Sequence, residues 1–141
     1  AVFDQAQEAL SMNKIYNHIS FVIPDNELWL TLDIDGVIVG LAHGHQFRTG
    51  GRYSHQKAVA WLSGQAFGKT DIGDVDILLS GHFHHLFVVN EGKRTLMQCP
   101  SVDGGSEWFE NMTGKSSYAG TLTFSITPGK TQLQWDNLKV L

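Results

Sequence analysis

The chain has 141 residues, of which 42% are hydrophobic and only 17% charged, a composition that excludes a disordered protein. Its formal charge of -4 argues against a broad basic surface, so phosphate binding would have to come from a metal ion or a few side chains. One cysteine, Cys99, excludes an internal disulfide, and no secretory signal or long apolar stretch is visible. We therefore expect a cytoplasmic protein with no membrane contact.

The first elements along the chain are a helix and a β-hairpin. Apolar residues at near-helical spacing between positions 3 and 19 predict an amphipathic helix. Residues 27–33 alternate between apolar and polar, which is typical of a strand with one buried face. Asp35-Gly36 predicts a hairpin turn. The unbroken apolar run 37–42 that follows suits a strand covered on both faces.

A second helix and several strands follow. An apolar stripe predicts a helix over residues 53–67, and residues 76–80 form a short apolar strand. The remainder is expected to be all-β, with a long polar loop at 101–120. Its predicted strands are 86–89, 94–98, 121–127 and 131–135. No linker or repeat divides the chain, so we predict a single α/β domain over residues 1–141.

Five of the seven histidines lie in two short clusters, residues 43–45 and 82–85. Each cluster follows a predicted strand, and a helix lies between the two strands. A strand–helix–strand unit is a crossover whose strands run parallel, so their C-terminal ends share one edge of the sheet. We therefore expect His43 to converge with His82 and His84 at the edge where open α/β sheets place their sites.

The second cluster has a spacing of its own. Residues two apart on an extended chain project to the same side, so His82 and His84 should face together and His85 away from them. Neutral imidazoles are common ligands of zinc, manganese and iron. A lone histidine at a strand end is more often a hydrogen-bonding residue, but three converging on one edge favour a metal site.

Two motifs resemble the C-terminal half of the calcineurin-like metallophosphoesterases. That family carries a strand followed by Gly/Ala-His-Gly-His, a helix, and a strand ending in Gly-His-x-His. Here the motifs are Ala-His-Gly-His at 42–45 and Gly-His-Phe-His at 81–84. The run 43–46, His-Gly-His-Gln, is similar to the compact branch of small phosphodiesterases, DNA-repair exonuclease-like enzymes and the retromer scaffold subunit. The resemblance covers residues 27–106 and implies the C-terminal half of an α/β/β/α sandwich with mixed sheets.

The resemblance also implies a metal-dependent phosphoesterase. His43 and His82 would bind one ion of a dinuclear pair and His84 the other, with manganese or zinc as cofactor and iron as a further alternative. A metal-bound hydroxide would attack phosphorus while the ions neutralise the developing charge. His45 is a candidate catalytic residue that approaches the phosphate or else supports a ligand. Arg48 is a candidate phosphate clamp, the alternative being a solvated loop arginine.

Other metal-binding motifs of that family are missing from this sequence. It contains no Asp-x-His, no Gly-Asn pair, and only an imperfect match to Gly-Asp-x-x-Asp at residues 73–76. Three imidazoles can hold one ion but not a bridged pair. The simplest interpretation is that the chain, which starts at Ala1 without a methionine, is part of a longer enzyme. We then expect a second copy or the missing N-terminal half to cover its open sheet face.

Three functions remain open at this stage. The leading hypothesis is hydrolysis of phosphate esters, with diesters or nucleic acid slightly favoured because the loop bearing Trp108 and Phe109 suits an extended substrate. Those two side chains are more simply explained as anchors of the loop. The alternatives are a non-catalytic metal-binding or protein-interaction module, and a remnant that binds one structural ion. Cys99 lies in an alternating strand without basic neighbours and is expected to be core.

Overall fold

The computed structural model describes residues 2–24, 28–103, 107–114, 118–127 and 139–140 of the chain. Its centre is a mixed five-stranded sheet. The strands are β1 (Trp29–Ile34), β2 (Val37–Ala42), β3 (Ile77–Ser80), β4 (Phe87–Glu91) and β5 (Arg94–Gln98). Across the sheet they follow the order β1-β2-β3-β5-β4. The predicted α/β class with a mixed sheet is confirmed.

Helices and a second small sheet complete the described chain. The helices are α1 (Val2–Ser11), α2 (Ser54–Phe67) and α3 (Glu107–Thr113), with 3₁₀ turns at Lys14–Tyr16 and Asp71–Asp74. The short strands β6 (Leu122–Thr123) and β7 (Lys139–Val140) pair antiparallel. Within the described ranges, no helix combines the length and apolar character needed to cross a membrane.

The predicted hairpin joins β1 to β2 in antiparallel register, with Ile34 opposite Val37. Its turn residues Asp35 and Gly36 have φ values of 52° and 82°. Two consecutive positive φ values are those of the two-residue turn that matches the twist of the flanking strands. The Gly36 N–H donates to Asp33 Oδ1 at 2.8 Å, which stabilises the turn from within.

The predicted crossover is also confirmed. β2 and β3 run parallel, with Val39 opposite Ile77, and α2 lies between them in the chain. β3 is in turn parallel to β5. Asp76 fastens the start of β3 to β2, because its N–H donates to Ile38 O and its Oδ2 accepts from Ile38 N, both at 2.9 Å. The C-terminal ends of three parallel strands therefore meet along one edge.

Both faces of the central strands are covered, as the apolar runs predicted. On one face, α2 and the turn Asp71–Asp74 enclose a buried cluster of seven residues: Phe47, Ala58, Leu62, Ile72, Val75, Leu78 and Leu96. On the other face, Val37, Val39, Ile77 and Met97 form a second buried cluster. This second cluster is packed by side chains from the segment 122–126. Alternate residues of β2 and β3 thus supply two cores.

Three predicted elements are wrong in their extent. The helix expected over residues 3–19 ends at Ser11, because Asn13 Oδ1 accepts from the Ile15 N–H and begins a separate 3₁₀ turn. The polar loop 101–120 contains α3. The strand expected over 121–127 is reduced to β6, and the one expected over 131–135 lies outside the described residues.

Candidate metal centre

The two histidine clusters meet where β2 and β3 end. His43 directly follows β2, and the Gly81 N–H after β3 donates to His43 O at 3.1 Å, extending the strand pairing beyond the sheet. Gly44 is buried with φ 105°, and a Cβ at this position would lie 2.9 Å from Gly81 O and 3.3 Å from the Cβ of His82. Glycine is therefore required here for the two clusters to approach each other.

Three imidazole rings form a cluster at this edge. The ring centroids of His43 and His82 are 5.0 Å apart, and the His45 centroid is 5.4 Å from that of His43 and 6.4 Å from that of His82. The predicted convergence of His43 and His82 across nearly forty positions of sequence is confirmed. His45, the candidate catalytic residue, lies beside the same pair.

The proximity of these rings changes the acid–base behaviour of His82. Loss of hydration lowers the pKa of the His82 imidazole below its usual value, and the neighbouring charges of His43, His45 and His84 lower it further. His82 thus remains neutral to a lower pH than an ordinary histidine. Neutral imidazole is the form that binds metal ions.

His84 lies in the same loop as His82, and the backbone of that loop differs from the one expected. His82 has φ 70° and His84 has φ 57°, so neither is extended and the alternation argument is wrong for this loop. Among the described residues, the His84 ring makes none of the close ring contacts that join His43, His45 and His82, so its convergence with them stays a prediction. His85 instead bonds to α2, with its Nε2 2.7 Å from Ser54 Oγ.

Arg48 lies at the end of the turn that carries His43 and His45. Its Nε donates to His45 O at 3.4 Å, which holds an exposed guanidinium next to the imidazole cluster. The turn is braced by Gln46, whose Oε1 accepts from Gly44 N at 3.0 Å, and by the buried Phe47, whose N–H donates to Gly44 O at 3.0 Å. The exposed guanidinium of Arg48 is suited to bind a phosphate oxygen.

Sequence reasoning missed Gln98, which ends β5 beside the site. Its side chain is fully buried, and its Nε2 donates to His85 O at 2.7 Å. Within the described part of the chain, its Oε1 is a buried polar atom without a hydrogen-bond partner. The sequence signal that could have found Gln98 is a polar residue at the end of an apolar strand, next to the strands that carry the histidines.

Burial raises the pKa of the neighbouring Cys99 thiol, in keeping with an unreactive residue.

The donor set fits a metal ion in part. Two imidazoles on one tetrahedral zinc have ring centroids about 5 Å apart, given a Zn–N distance of about 2 Å. The separation of 5.0 Å between His43 and His82 meets that requirement. Over the described residues, however, no group of three His, Cys, Asp or Glu side chains is arranged to hold an ion. A third ligand would therefore have to come from a rotated side chain or from a residue outside the described part of the chain.

The loop aromatics expected to anchor the loop or stack on a substrate are Trp108 and Phe109. Both residues are part of helix α3, but their side chains lie outside the described part of the structure. Their role stays a prediction.

Comparison with known proteins gives structural neighbours. No protein-family model and no curated protein sequence matches the chain. Among solved structures, it is similar to Vps29 from Entamoeba histolytica in its zinc complex, with 25% identity, a TM-score of 0.51, and coverage of 72% of this chain and 48% of that one. A single mutant of the same protein gives 22% identity, a TM-score of 0.54 and coverage of 77% and 52%. A double mutant of that protein gives 21% identity, a TM-score of 0.53, and coverage of 80% of this chain and 58% of that one.

The chain has a calcineurin-like α/β fold. It spans about half the length of the Vps29 structures, at 48%, 52% and 58%. The calcineurin-like fold accounts for the mixed sheet and for helices packed against it. A divalent ion, Zn²⁺, is present in one of these neighbours.

Proposed function

We propose that this chain carries part of the active site of a metal-dependent phosphoesterase. The observation that supports the proposal is the pair formed by His43 and His82, whose ring centroids lie 5.0 Å apart at the C-terminal edge of two parallel strands. Imidazoles converging there are suited to zinc or manganese. The calcineurin-like fold, and the zinc bound by a Vps29 of that fold, support the same assignment.

Each candidate residue at this edge of the sheet has a proposed role. His43, His82 and His84 are the metal ligands, and a second ion of a dinuclear site would need further ligands from elsewhere. A bound divalent cation supplies Lewis acidity toward a phosphoryl oxygen and increases the acidity of water. His45 is assigned a hydrogen bond to an oxygen of the substrate, since its ring centroid lies 5.4 Å from that of the proposed ligand His43. Arg48 orients the phosphate by donating to its non-bridging oxygens.

The substrate is proposed to be a phosphodiester, with nucleic acid as one source, rather than a monoester. His43, His82 and Arg48 are exposed at this edge, so it is open to a substrate that extends beyond the phosphate group. The net charge of -4 disfavours a large nucleic-acid footprint on this chain, so recognition would be local to the scissile phosphate.

Zinc binding and hydrolysis test the proposal together. We expect zinc titration calorimetry to show saturable binding by this chain. We expect the longest natural form of the protein to hydrolyse bis(p-nitrophenyl) phosphate faster than p-nitrophenyl phosphate when zinc or manganese is added. His82→Ala should lower zinc affinity at least tenfold and abolish hydrolysis. His18→Ala is the matched control, because His18 is exposed and lies far along the chain from the cluster. Hydrolysis that survives both His82→Ala and removal of metal would contradict the proposal.

A second function is favoured by the incomplete donor set of the described residues. A non-catalytic module of the same fold would bind zinc through His43 and His82 without turning over a phosphate ester. Zinc binding that is lost in His82→Ala, with no hydrolysis of either ester by the longest natural form of the protein, would establish this alternative.

A further inference from the structure

The loop between β3 and β4, residues 81–86, adopts a conformation that its own side chains disfavour. His82 and His84 both have positive φ values, 70° and 57°. Few residues other than glycine adopt this left-handed region, because it brings Cβ close to the backbone, although asparagine, aspartate and histidine are found there more often than other residues. Such conformations persist only where surrounding contacts impose them. The contacts that impose this one therefore also decide where the two imidazoles are placed.

His82 is enclosed by the hydrogen bond from the Phe83 N–H to Gly81 O at 2.9 Å, and His85 supplies the contacts around His84 through three further hydrogen bonds. Its Nδ1 lies 2.9 Å from Phe83 O, its Nε2 lies 2.7 Å from Ser54 Oγ, and its main-chain O accepts from Gln98 Nε2 at 2.7 Å. Because a carbonyl oxygen only accepts, Nδ1 carries the proton in the first of these bonds. In the neutral ring, Nε2 is then free to accept from the Ser54 hydroxyl.

These bonds hold His84 from both sides. Phe83 O belongs to the peptide group that precedes His84, and the His85 carbonyl lies beyond the peptide group that follows it. The partners outside the loop are rigid, since Ser54 begins α2 and Gln98 is a fully buried residue of β5. The loop is thus attached to a helix on one side and to the sheet on the other.

We infer that His85 is a positioning residue, which sets the conformation of the loop 81–86 and thereby the placement of His82 and His84. The inference rests on the proposed function in treating those two imidazoles as metal ligands. His85 itself is not a ligand, because both of its ring nitrogens are engaged by Phe83 and Ser54. Residues that hydrogen-bond directly to metal ligands change metal affinity by about 10–100-fold, and we expect an effect of at least tenfold from fixing the backbone that carries the ligands.

Amide hydrogen exchange of the metal-free protein is the first test. In His85→Ala we expect the Phe83 amide, whose N–H donates to Gly81 O at 2.9 Å, to exchange at least tenfold faster, while the amides of β2 and α2 keep their wild-type rates. His85→Asn should restore slow exchange, because its amide nitrogen takes the place of Nδ1 opposite Phe83 O. His18→Ala should leave the loop unchanged. Wild-type loop exchange in His85→Ala would overturn the inference, whether or not the protein binds metal.

Zinc affinity is the second readout. We expect His85→Ala to weaken zinc binding at least tenfold and His85→Asn to recover most of that loss, with unchanged melting temperatures of the metal-free proteins. Equal zinc affinity in wild type and His85→Ala would overturn the inference and leave the proposed function standing. A wild-type protein that binds no zinc would instead contradict the proposed function, and the exchange result would then decide the loop-ordering part alone.

The contact with α2 can be separated from the contact with Phe83. Ser54→Ala removes only the bond to His85 Nε2 and should raise loop exchange by a smaller factor than His85→Ala. Ser63→Ala is its matched control, since Ser63 lies on the exposed side of the same helix and donates only to Val59 O within it. Identical exchange in Ser54→Ala and Ser63→Ala would show that Ser54 takes no part in positioning the loop.

Discussion

At the scale of single residues, one aspartate joins elements that are distant in sequence. Asp71 accepts hydrogen bonds from Trp29 Nε1 at 3.0 Å and from Thr31 Oγ1 at 2.9 Å, so the turn that it begins is tied to β1. The hydrogen bond from Trp29 lowers the pKa of Asp71 below 3.8 more than its slight burial raises it, and Thr31 lowers it further. This carboxylate therefore stabilises the fold in its charged form.

Asp71→Asn should lower the free energy of unfolding at pH 7 by about 0.5–1 kcal/mol, a small value because the carboxylate is exposed to solvent. A carboxyl group with a lowered folded pKa contributes stability above its unfolded pKa, and that stability is lost as the pH falls through the folded value. The difference between wild type and variant should therefore shrink below pH 3.8. Urea unfolding at pH 7, 4 and 3 measures it.

Asp74→Asn is the control for that experiment. Asp74 lies in the same turn, and its carboxylate is almost fully exposed, 3.7 Å from Arg94 Nη2. Exposed ion pairs contribute little to stability, so this variant should unfold like the wild type at every pH. A loss in Asp74→Asn as large as that in Asp71→Asn would show that the effect comes from net charge and not from the bonds to β1.

At the scale of elements, the packing of the turn Asp71–Asp74 against α2 depends on a buried glycine. A Cβ on Gly73 would lie 2.5 Å from Ala66 N and from Gln65 C and O, all of them backbone atoms of α2. Backbone atoms inside a helix cannot rotate out of the way as a side chain can. We expect Gly73→Ala to destabilise the protein by about 1–3 kcal/mol, measured as a fall in melting temperature.

Gly64→Ala, a substitution within α2 itself, is expected to have the opposite effect. Its added Cβ would meet no atom within 4 Å, and Gly64 is inside α2, where alanine is preferred to glycine by about 0.5–1 kcal/mol. This variant should therefore melt higher than the wild type. If both alanine variants lowered the melting temperature equally, the close approach of Gly73 to α2 would not explain the first result.

At the scale of the whole molecule, the N-terminal segment leaves apolar surface open. α1 has no buried residue among those described, and Phe3 and Ile15 are 65% and 68% exposed. Other exposed apolar residues of this segment are Val2, Met12, Ile19, Val22 and Ile23. Apolar patches of this kind mark interaction sites. We expect this surface to be covered by another copy of the chain or by the rest of a longer protein.

The double variant Phe3→Ser with Ile15→Ser should shift the chain from oligomer toward monomer and reduce the fluorescence of a bound hydrophobic dye. Both side chains are exposed, so the melting temperature of the folded unit should change little. Size-exclusion chromatography with light scattering measures the mass. A wild-type chain that runs as a compact monomer without dye binding would contradict the expectation.

The sequence by itself determined those features that depend on neighbours along the chain. Unbroken apolar runs predicted β2 and β3, alternation predicted β1, and a near-helical apolar stripe predicted α2. Asp35-Gly36 predicted the hairpin turn, because side-chain periodicity and turn conformation are local properties. Because a strand–helix–strand crossover joins parallel strands, β2 and β3 were expected to run parallel, which brought His43 to His82. The likeness of the two histidine motifs to a known family anticipated the calcineurin-like fold.

Only the tertiary structure decided the rest. The left-handed backbone at His82 and His84 departs from the expected extended chain, and the loop that carries it is attached to Ser54 and Gln98, which are distant in sequence. The burial of Gln98 and the cover that segment 122–126 provides to the second core likewise depend on contacts across the sheet. Local patterns carry no record of such contacts, because their free energy arises only after distant segments have packed together.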